Sequence, residues 1–254
     1  GKRIRPILLF ETCKSFAERR GETGWKEEAA PFLTALEMIH SFSLVHDDLP
    51  CMDNDTLRRG KPTTWYVYGE AMGTLAGDGL VLEALTVAGR AVGQSRHPER
   101  AARALAILGE KSGVGGMLGG QSVDVEKTGE HLDATTLDFI YRLKTGALLE
   151  AAFMMGAALG GASEAEISCA EQIGRAVGLA FQIQDDILDE TATEAELGKP
   201  LHSDEKNQKT TYVSLFGLEA AREAVRQQSE AAEQRLREFP GETETLAALI
   251  AYLT

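Results

Sequence analysis

Cysteine, histidine, basic charge and long apolar runs are all in short supply in this chain, and each scarcity removes a class of protein. Three cysteines in 254 residues, Cys13, Cys51 and Cys169, are too few and too widely spaced for a disulfide framework or a zinc site, and they point to a reducing, cytoplasmic setting. The five histidines are mostly scattered on expected loops, whereas a metal phosphohydrolase would need several as ligands. Lysine and arginine total 26 against 39 acidic residues, a net charge of −13. Such a surface repels nucleic acid and anionic membrane, so neither is an expected partner, and anionic substrates must find local cations. The apolar stretch 146–162 is shorter than the ~20 residues a bilayer span needs and contains Glu150, which predicts a buried core helix and no transmembrane segment. No charged leader followed by an apolar run and a cleavage site opens the chain, and a start at Gly1 is expected to mean that the natural N-terminus is missing.

What remains is a globular composition, 43% hydrophobic and 26% charged, sufficient for one large core, so residues 1–254 are expected to form a single domain. Apolar residues return at three- and four-residue steps over 31–49, 69–93, 99–119, 133–160, 164–189 and 210–238, and no convincing two-residue alternation occurs. Turn chemistry separates these segments at Pro50, Gly60-Lys61-Pro62, Arg96-His97-Pro98, Gly160-Gly161, Gly198-Lys199-Pro200 and Pro240-Gly241. The pattern predicts an all-α bundle. Gly113, Gly115, Gly116, Gly119 and Gly120 fall inside a helical pattern, where close helix approach or a kink is the expected compensation.

Two aspartate clusters carry the chemistry. In the segment 181–189, Asp185 and Asp189 are four apart and share a helix face with Gln182 one turn below, while Ile183, Ile187 and Leu188 continue the apolar pattern. Those carboxylates therefore face a cavity within the fold. In the first cluster, Asp47, Asp48 and Asp53 follow a helical run in which His40 lies seven residues before Asp47 and faces the same way. Pro50 should end or kink that helix and let Asp53 return toward Asp47. Arg58, Arg59 and Lys61 follow within a short loop. Hard carboxylate oxygens suit Mg²⁺, which shares its shell with water and substrate phosphates, and arginine grips phosphate oxygens through a planar fork. A diphosphate substrate is the simplest explanation.

With Gly1-Lys-Arg-Ile-Arg-Pro6, the segment His46–Asp55, Leu57-Arg-Arg-Gly-Lys-Pro-Thr63, Gly77-Asp78, Gly120-Gln121 with Asp124, Lys144-Thr-Gly146, Phe181–Asp189, Gly198-Lys-Pro200 and Lys209-Thr-Thr-Tyr212, the chain resembles the trans-isoprenyl diphosphate synthases, in order and over almost its whole length. The pattern is most similar to that of bacterial farnesyl diphosphate synthases and the related geranylgeranyl enzymes. The resemblance implies a bundle of about ten or more helices around a deep central cavity. It implies that Asp47 and Asp53, with Asp48 in support, ligate two Mg²⁺ ions, and that Asp185, with Asp186 and Asp189, ligates a third, Mn²⁺ being an alternative metal. It further assigns Arg58, Lys144, Lys199 and Lys209 to the allylic diphosphate, Lys2, Arg5, His40 and Arg59 to isopentenyl diphosphate, and Thr145 and Gln182 to the reacting carbons. It implies a homodimer, for which Ala147–Leu159 offers either core or interface.

An allylic C–O bond ionises only if charge growing on the departing diphosphate is stabilised, and the resulting cation must be kept from water. The released diphosphate is the expected base for the final deprotonation, consistent with a sequence that contains no obvious nucleophile–base triad. Phe42, five residues before Asp47, lies about 7.5 Å down the helix axis, where a large ring should stop elongation; an aromatic at that position resembles the fifteen-carbon farnesyl makers of the family, and geranylgeranyl diphosphate is the alternative product. A terpene cyclase would not need the Lys2, Arg5, His40 and Arg59 pocket, and intact acids in both clusters argue against an inactive partner subunit. Relative to the family pattern, a preceding helix and a basic C-terminal tail are absent from the sequence.

Overall fold

The computed structural model describes residues 3–191 and 210–254. Lys2, Lys199 and Lys209 lie outside the described residues. Among those described, twelve α-helices follow one another: α1 Ile4–Arg19, α2 Trp25–Asp47, α3 Thr64–Tyr68, α4 Glu70–Gln94, α5 Pro98–Ser112, α6 Met117–Glu126, α7 Ala134–Ile140, α8 Ala147–Leu159, α9 Glu164–Thr191, α10 Tyr212–Phe216, α11 Leu218–Leu236 and α12 Glu244–Leu253. A π-helical turn, Tyr141–Gly146, joins α7 to α8. The all-α architecture is as the periodicity predicts.

Helix α8 is the axle. Every one of its residues is buried, and α1, α2, α5 and α9 pack around it, as expected for a helix apolar on all sides. Its one charge, Glu150, is 2% exposed and is held by Lys111 of α5 and by Arg175 Nε of α9 at 3.3 Å. Pairing on two sides makes burial of the carboxylate tolerable. Where α9 crosses α8, a Cβ on Gly174 would meet the Glu150 Cα at 2.6 Å, and one on Gly178 would meet the Gly146 Cα at 2.7 Å. Small residues thus bring α9 against the π turn. The upper part of α9 joins a second cluster, in which Ala180, Ile183 and Ile187 pack with Leu137, Ile140, Tyr141, Ala221 and Val225.

The structure differs from the sequence pattern in several places. The run 99–119 is two helices: the chain leaves helical geometry at Gly113 (φ −79°, ψ −160°) and Gly116 (φ −134°, ψ −131°), where a Cβ would meet the Gly109 and Lys111 carbonyl oxygens at 2.8 and 2.1 Å, an approach that suits glycine. The run 210–238 is split at Gly217, which sits at φ 83°. Helix α2 starts at Trp25, with Pro31 inside it. Helices α1 and α12 lie outside the segments the periodicity picked out. A two-stranded hairpin, β1 Leu57–Arg58 and β2 Lys61–Pro62, is too short for alternation to register.

Helix α4 is 25 residues long. By length and composition alone it is apolar enough to cross a bilayer, and it is largely exposed.

Candidate active site

The first acidic cluster is shaped by the end of α2. With the helix closed at Asp47, the chain turns over Pro50, and the Asp53 amide donates to the Asp47 carbonyl at 2.9 Å while Asn54 donates to Leu49 at 3.0 Å. Asn54 takes φ 56°, a left-handed value that asparagine tolerates better than most residues. The turn returns Asp53 to Asp47, as Pro50 predicts.

The hairpin that follows divides the two arginines. Arg59 and Gly60 both have positive φ, 53° and 74°, the requirement of a tight two-residue turn between twisted strands. Arg58 donates from Nε to Asp48 Oδ1 at 2.7 Å, and its Nη2 stands 2.6 Å from the same oxygen. Asp48 is 4% exposed; its carboxylate braces the hairpin. Arg59 instead bears on the other side of α2, where it lowers the pKa values of Arg5 and His40.

There α1 and α2 make a cationic pocket. Arg5 Nη1 lies 3.4 Å from His40 Nε2, and Arg5 Nε is shut away from water with no hydrogen-bond partner among the described residues. Burial pushes the Arg5 guanidinium down to about 10, and burial together with Arg5, Arg59 and Arg58 pushes the His40 imidazole down to about 3. An orphaned buried donor amid like charges is the signature of an anion's place.

On the carboxylate side, burial pushes Asp47 up to about 6, with Asp53 adding to the rise and Lys144 opposing it. Lys144 and Thr145 stand on the π turn, a device that often marks functional positions. The turn is pressed by α6, where a Cβ on Gly120 would fall 2.3 Å from the Lys144 amide nitrogen. Lys144 Nζ donates to Asp124 Oδ2 at 2.6 Å, and Thr145 Oγ1 donates to Gln182 Oε1 at 2.8 Å. One cavity is lined by Arg5, His40, Phe42, His46, Asp47 and Gln121, its neighbour by Asp124, Tyr141, Gln182 and Asp186, and Lys144 and Thr145 border both.

The second acidic cluster lies on α9. Asp186 Oδ2 accepts from the Tyr141 hydroxyl at 2.6 Å and from the Tyr212 amide at 2.8 Å, so this acid fastens the segment after residue 209. Asp185 is half-buried and Asp189 is buried. Sequence reasoning missed Tyr141, and it quoted Tyr212 and Gln121 within motifs without giving them a role; the Gln121 Oε1 is buried in the cavity wall with no hydrogen-bond partner among the described residues. No local signal ties Tyr141 to an acid 45 residues away.

Among the described residues, no three acidic, histidine or cysteine side chains converge to form a metal cage. Hard carboxylates supplying part of a shell, one of them disfavoured as an anion by burial, fit Mg²⁺ completed by substrate phosphate and water.

Comparison with known proteins agrees with this geometry. Residues 1–252 match the polyprenyl synthetase family model. The chain is 42% identical to the farnesyl diphosphate synthase of Geobacillus stearothermophilus over 93% of its own length and 78% of the relative's. It is also 42% identical to the chloroplastic geranylgeranyl pyrophosphate synthase of Capsicum annuum, over 99% of its length and 66% of the relative's. Among solved structures, an FPP/GFPP synthase from Zymomonas mobilis superposes with a TM-score of 0.86 at 33% identity, covering 100% of this chain and 84% of that one. The Helicobacter pylori geranyltransferase complexed with magnesium and isoprenyl diphosphate gives 0.83 at 30%, covering 100% and 81%. The chain belongs to the polyprenyl synthetase family, as a short-chain trans-prenyltransferase of the group that contains farnesyl and geranylgeranyl diphosphate synthases. The magnesium dependence of that family accords with the carboxylate sites described above.

His40 provides a direct check on the cationic pocket. A free imidazole titrates near 6.5, so as the pH falls from there toward about 3 the unfolded chain takes up a proton that the folded chain refuses, and this residue's contribution favours unfolding. In NMR titrations of the folded protein the His40 ring is expected to stay neutral from pH 8 to pH 5; protonation near pH 6.5 would contradict the packing described.

Proposed function

We propose that the protein condenses isopentenyl diphosphate with dimethylallyl and then geranyl diphosphate, ending at farnesyl diphosphate. The observation that carries this reading is Phe42: it is 6% exposed and lines the same cavity as Asp47, Lys144 and Thr145, one helical turn and a half below the acids. A chain growing away from the acids meets that ring. Geranylgeranyl diphosphate is the second reading, supported by similarity to plant enzymes of that name.

In this account the allylic diphosphate lies between the carboxylates of Asp47 and Asp53 and those of Asp185 and Asp189, and Lys144 reaches it from the π turn. Isopentenyl diphosphate takes the Arg5, His40 and Arg59 pocket, where its negative charge relieves the crowding of cations. Mg²⁺, up to three ions with Mn²⁺ as substitute, supplies charge neutralisation to the leaving diphosphate when bound. The paired Thr145 and Gln182 oxygens present their dipoles to the allylic carbons, and the apolar wall of Phe42, Met117 and Leu148 excludes water. Bond formation to the isopentenyl double bond follows loss of diphosphate, and the proton then shed passes to that diphosphate. Lys2, Lys199 and Lys209 are assigned to the two diphosphates on the sequence motifs alone.

We also propose a homodimer built on α4. Met72, Leu75 and Leu82 are 54%, 61% and 66% exposed and fall with Gly79 on a seven-residue repeat, the spacing of a helix-to-helix seam. A second copy of α4 is the partner with the matching stripe. Helix α8, the other candidate, is entirely internal.

Mass analysis of products from isopentenyl diphosphate, dimethylallyl diphosphate and Mg²⁺ should give a fifteen-carbon diphosphate that EDTA abolishes, and Phe42→Ala should lengthen it; a twenty-carbon product from the unaltered protein would favour the second reading. Light scattering after gel filtration should report a dimer for the unaltered chain and a monomer for Leu82→Glu, and a monomer in both would sink the α4 interface.

A further inference from the structure

The Phe42 ring does not stand alone. It meets the His46 imidazole edge-on, with ring centroids 5.3 Å apart and planes at 85°. This is the arrangement in which a ring edge rests on a neighbouring face. His46 in turn leans on α4: its Nε2 is 3.0 Å from the Thr74 carbonyl oxygen, so Nε2 carries the proton and donates, and it stands 3.7 Å from Asp78 Oδ1. The space it occupies exists because residue 77 is glycine. A Cβ there would fall 2.1 Å from Nε2 and 2.2 Å from Cδ2 of the imidazole, well inside contact distance. His46 borders the substrate cavity on its other side, together with Phe42, Asp47 and Met52. The imidazole is 26% exposed and the cavity lies on the side away from α4, so displacement from α4 pushes it toward the cavity.

We infer that His46 and the α4 surface under it, Thr74, Gly77 and Asp78, are positioning residues for the chain-length wall: they hold the Phe42 ring in place and so help set where elongation stops. This rests on the reading of Phe42 as that wall. It predicts opposite effects from two substitutions. Gly77→Ala drives the imidazole into the cavity and shortens the product, whereas His46→Ala withdraws the support behind Phe42 and lengthens it. Combining them removes the clash, since the added methyl group then has no ring to strike.

The test is the ratio of ten-, fifteen- and twenty-carbon diphosphates made from labelled isopentenyl diphosphate and dimethylallyl diphosphate, read by mass at long incubation with excess enzyme, so that slow variants still report a ratio. Phe42→Ala, Gly77→Ala, His46→Ala and the Gly77→Ala/His46→Ala double variant are compared after circular dichroism has shown each to be folded. Gly77→Ala should raise the ten- to fifteen-carbon ratio roughly tenfold, the lower end of what one methylene is worth in an apolar pocket. His46→Ala should shift the profile toward twenty carbons, and the double variant should match His46→Ala. If Phe42→Ala lengthens the product while Gly77→Ala and His46→Ala keep the native profile, the inference is overturned and the wall stands. A double variant that keeps the short profile of Gly77→Ala overturns it equally. An unchanged profile in Phe42→Ala removes the wall and the inference with it. Should Gly77→Ala not fold, the profile of His46→Ala decides alone.

Discussion

Like charges held close together in a half-dry cavity are the constraint on which the rest of the structure depends. Burial and neighbouring acids push the Asp47 carboxyl up to about 6, while burial and neighbouring arginines push Arg5 down to about 10 and His40 down to about 3. Each side of the site is uncomfortable by itself, and in opposite senses. In the function we propose, a diphosphate relieves the cations and a divalent metal relieves the acids, so that substrate and metal together supply the missing charges. Other groups are paired within the protein: Arg58 with Asp48, Lys144 with Asp124, and Asp186 with Tyr141 and the Tyr212 amide.

The scaffold tolerates this because its rigid parts lie next to its charged ones. Helix α8 is wholly internal, and its one acid is paired twice. Gly174 and Gly178 bring α9 against α8 and the π turn, and Gly120 brings α6 against Lys144. These contacts fix the π turn as the wall shared by both cavities, and the turn carries Lys144 and Thr145. A net charge of −13 is at odds with an anionic substrate until the cations are located: Arg5 and Lys144 line the cavity, and Arg59 stands near enough to act on Arg5 and His40.

Much of this was legible where the relevant physics is local. The four-residue step from Asp185 to Asp189 gives a shared helix face, and Pro50 after Asp47 announces the turn that returns Asp53. What was not legible depends on approach between distant segments. Tyr141 to Asp186, Lys144 to Asp124 and the hold of Thr74 on His46 join positions 45, 20 and 28 residues apart, and no periodicity encodes them. The π turn has no pattern of its own, the 113–116 glycines read as helix although Gly113 and Gly116 take non-helical dihedrals, and the hairpin that turns Arg58 and Arg59 apart is too short to show in periodicity.

The two diphosphate sites we propose differ in kind, one made of fixed cations and the other of acids that need metal. Calorimetric titration of the folded protein with isopentenyl diphosphate alone and with geranyl diphosphate alone, each with Mg²⁺ and with EDTA, tests that difference directly. The account predicts that isopentenyl diphosphate still binds in EDTA and that geranyl diphosphate does not. Equal metal dependence for both, or strong geranyl diphosphate binding in EDTA, would contradict it.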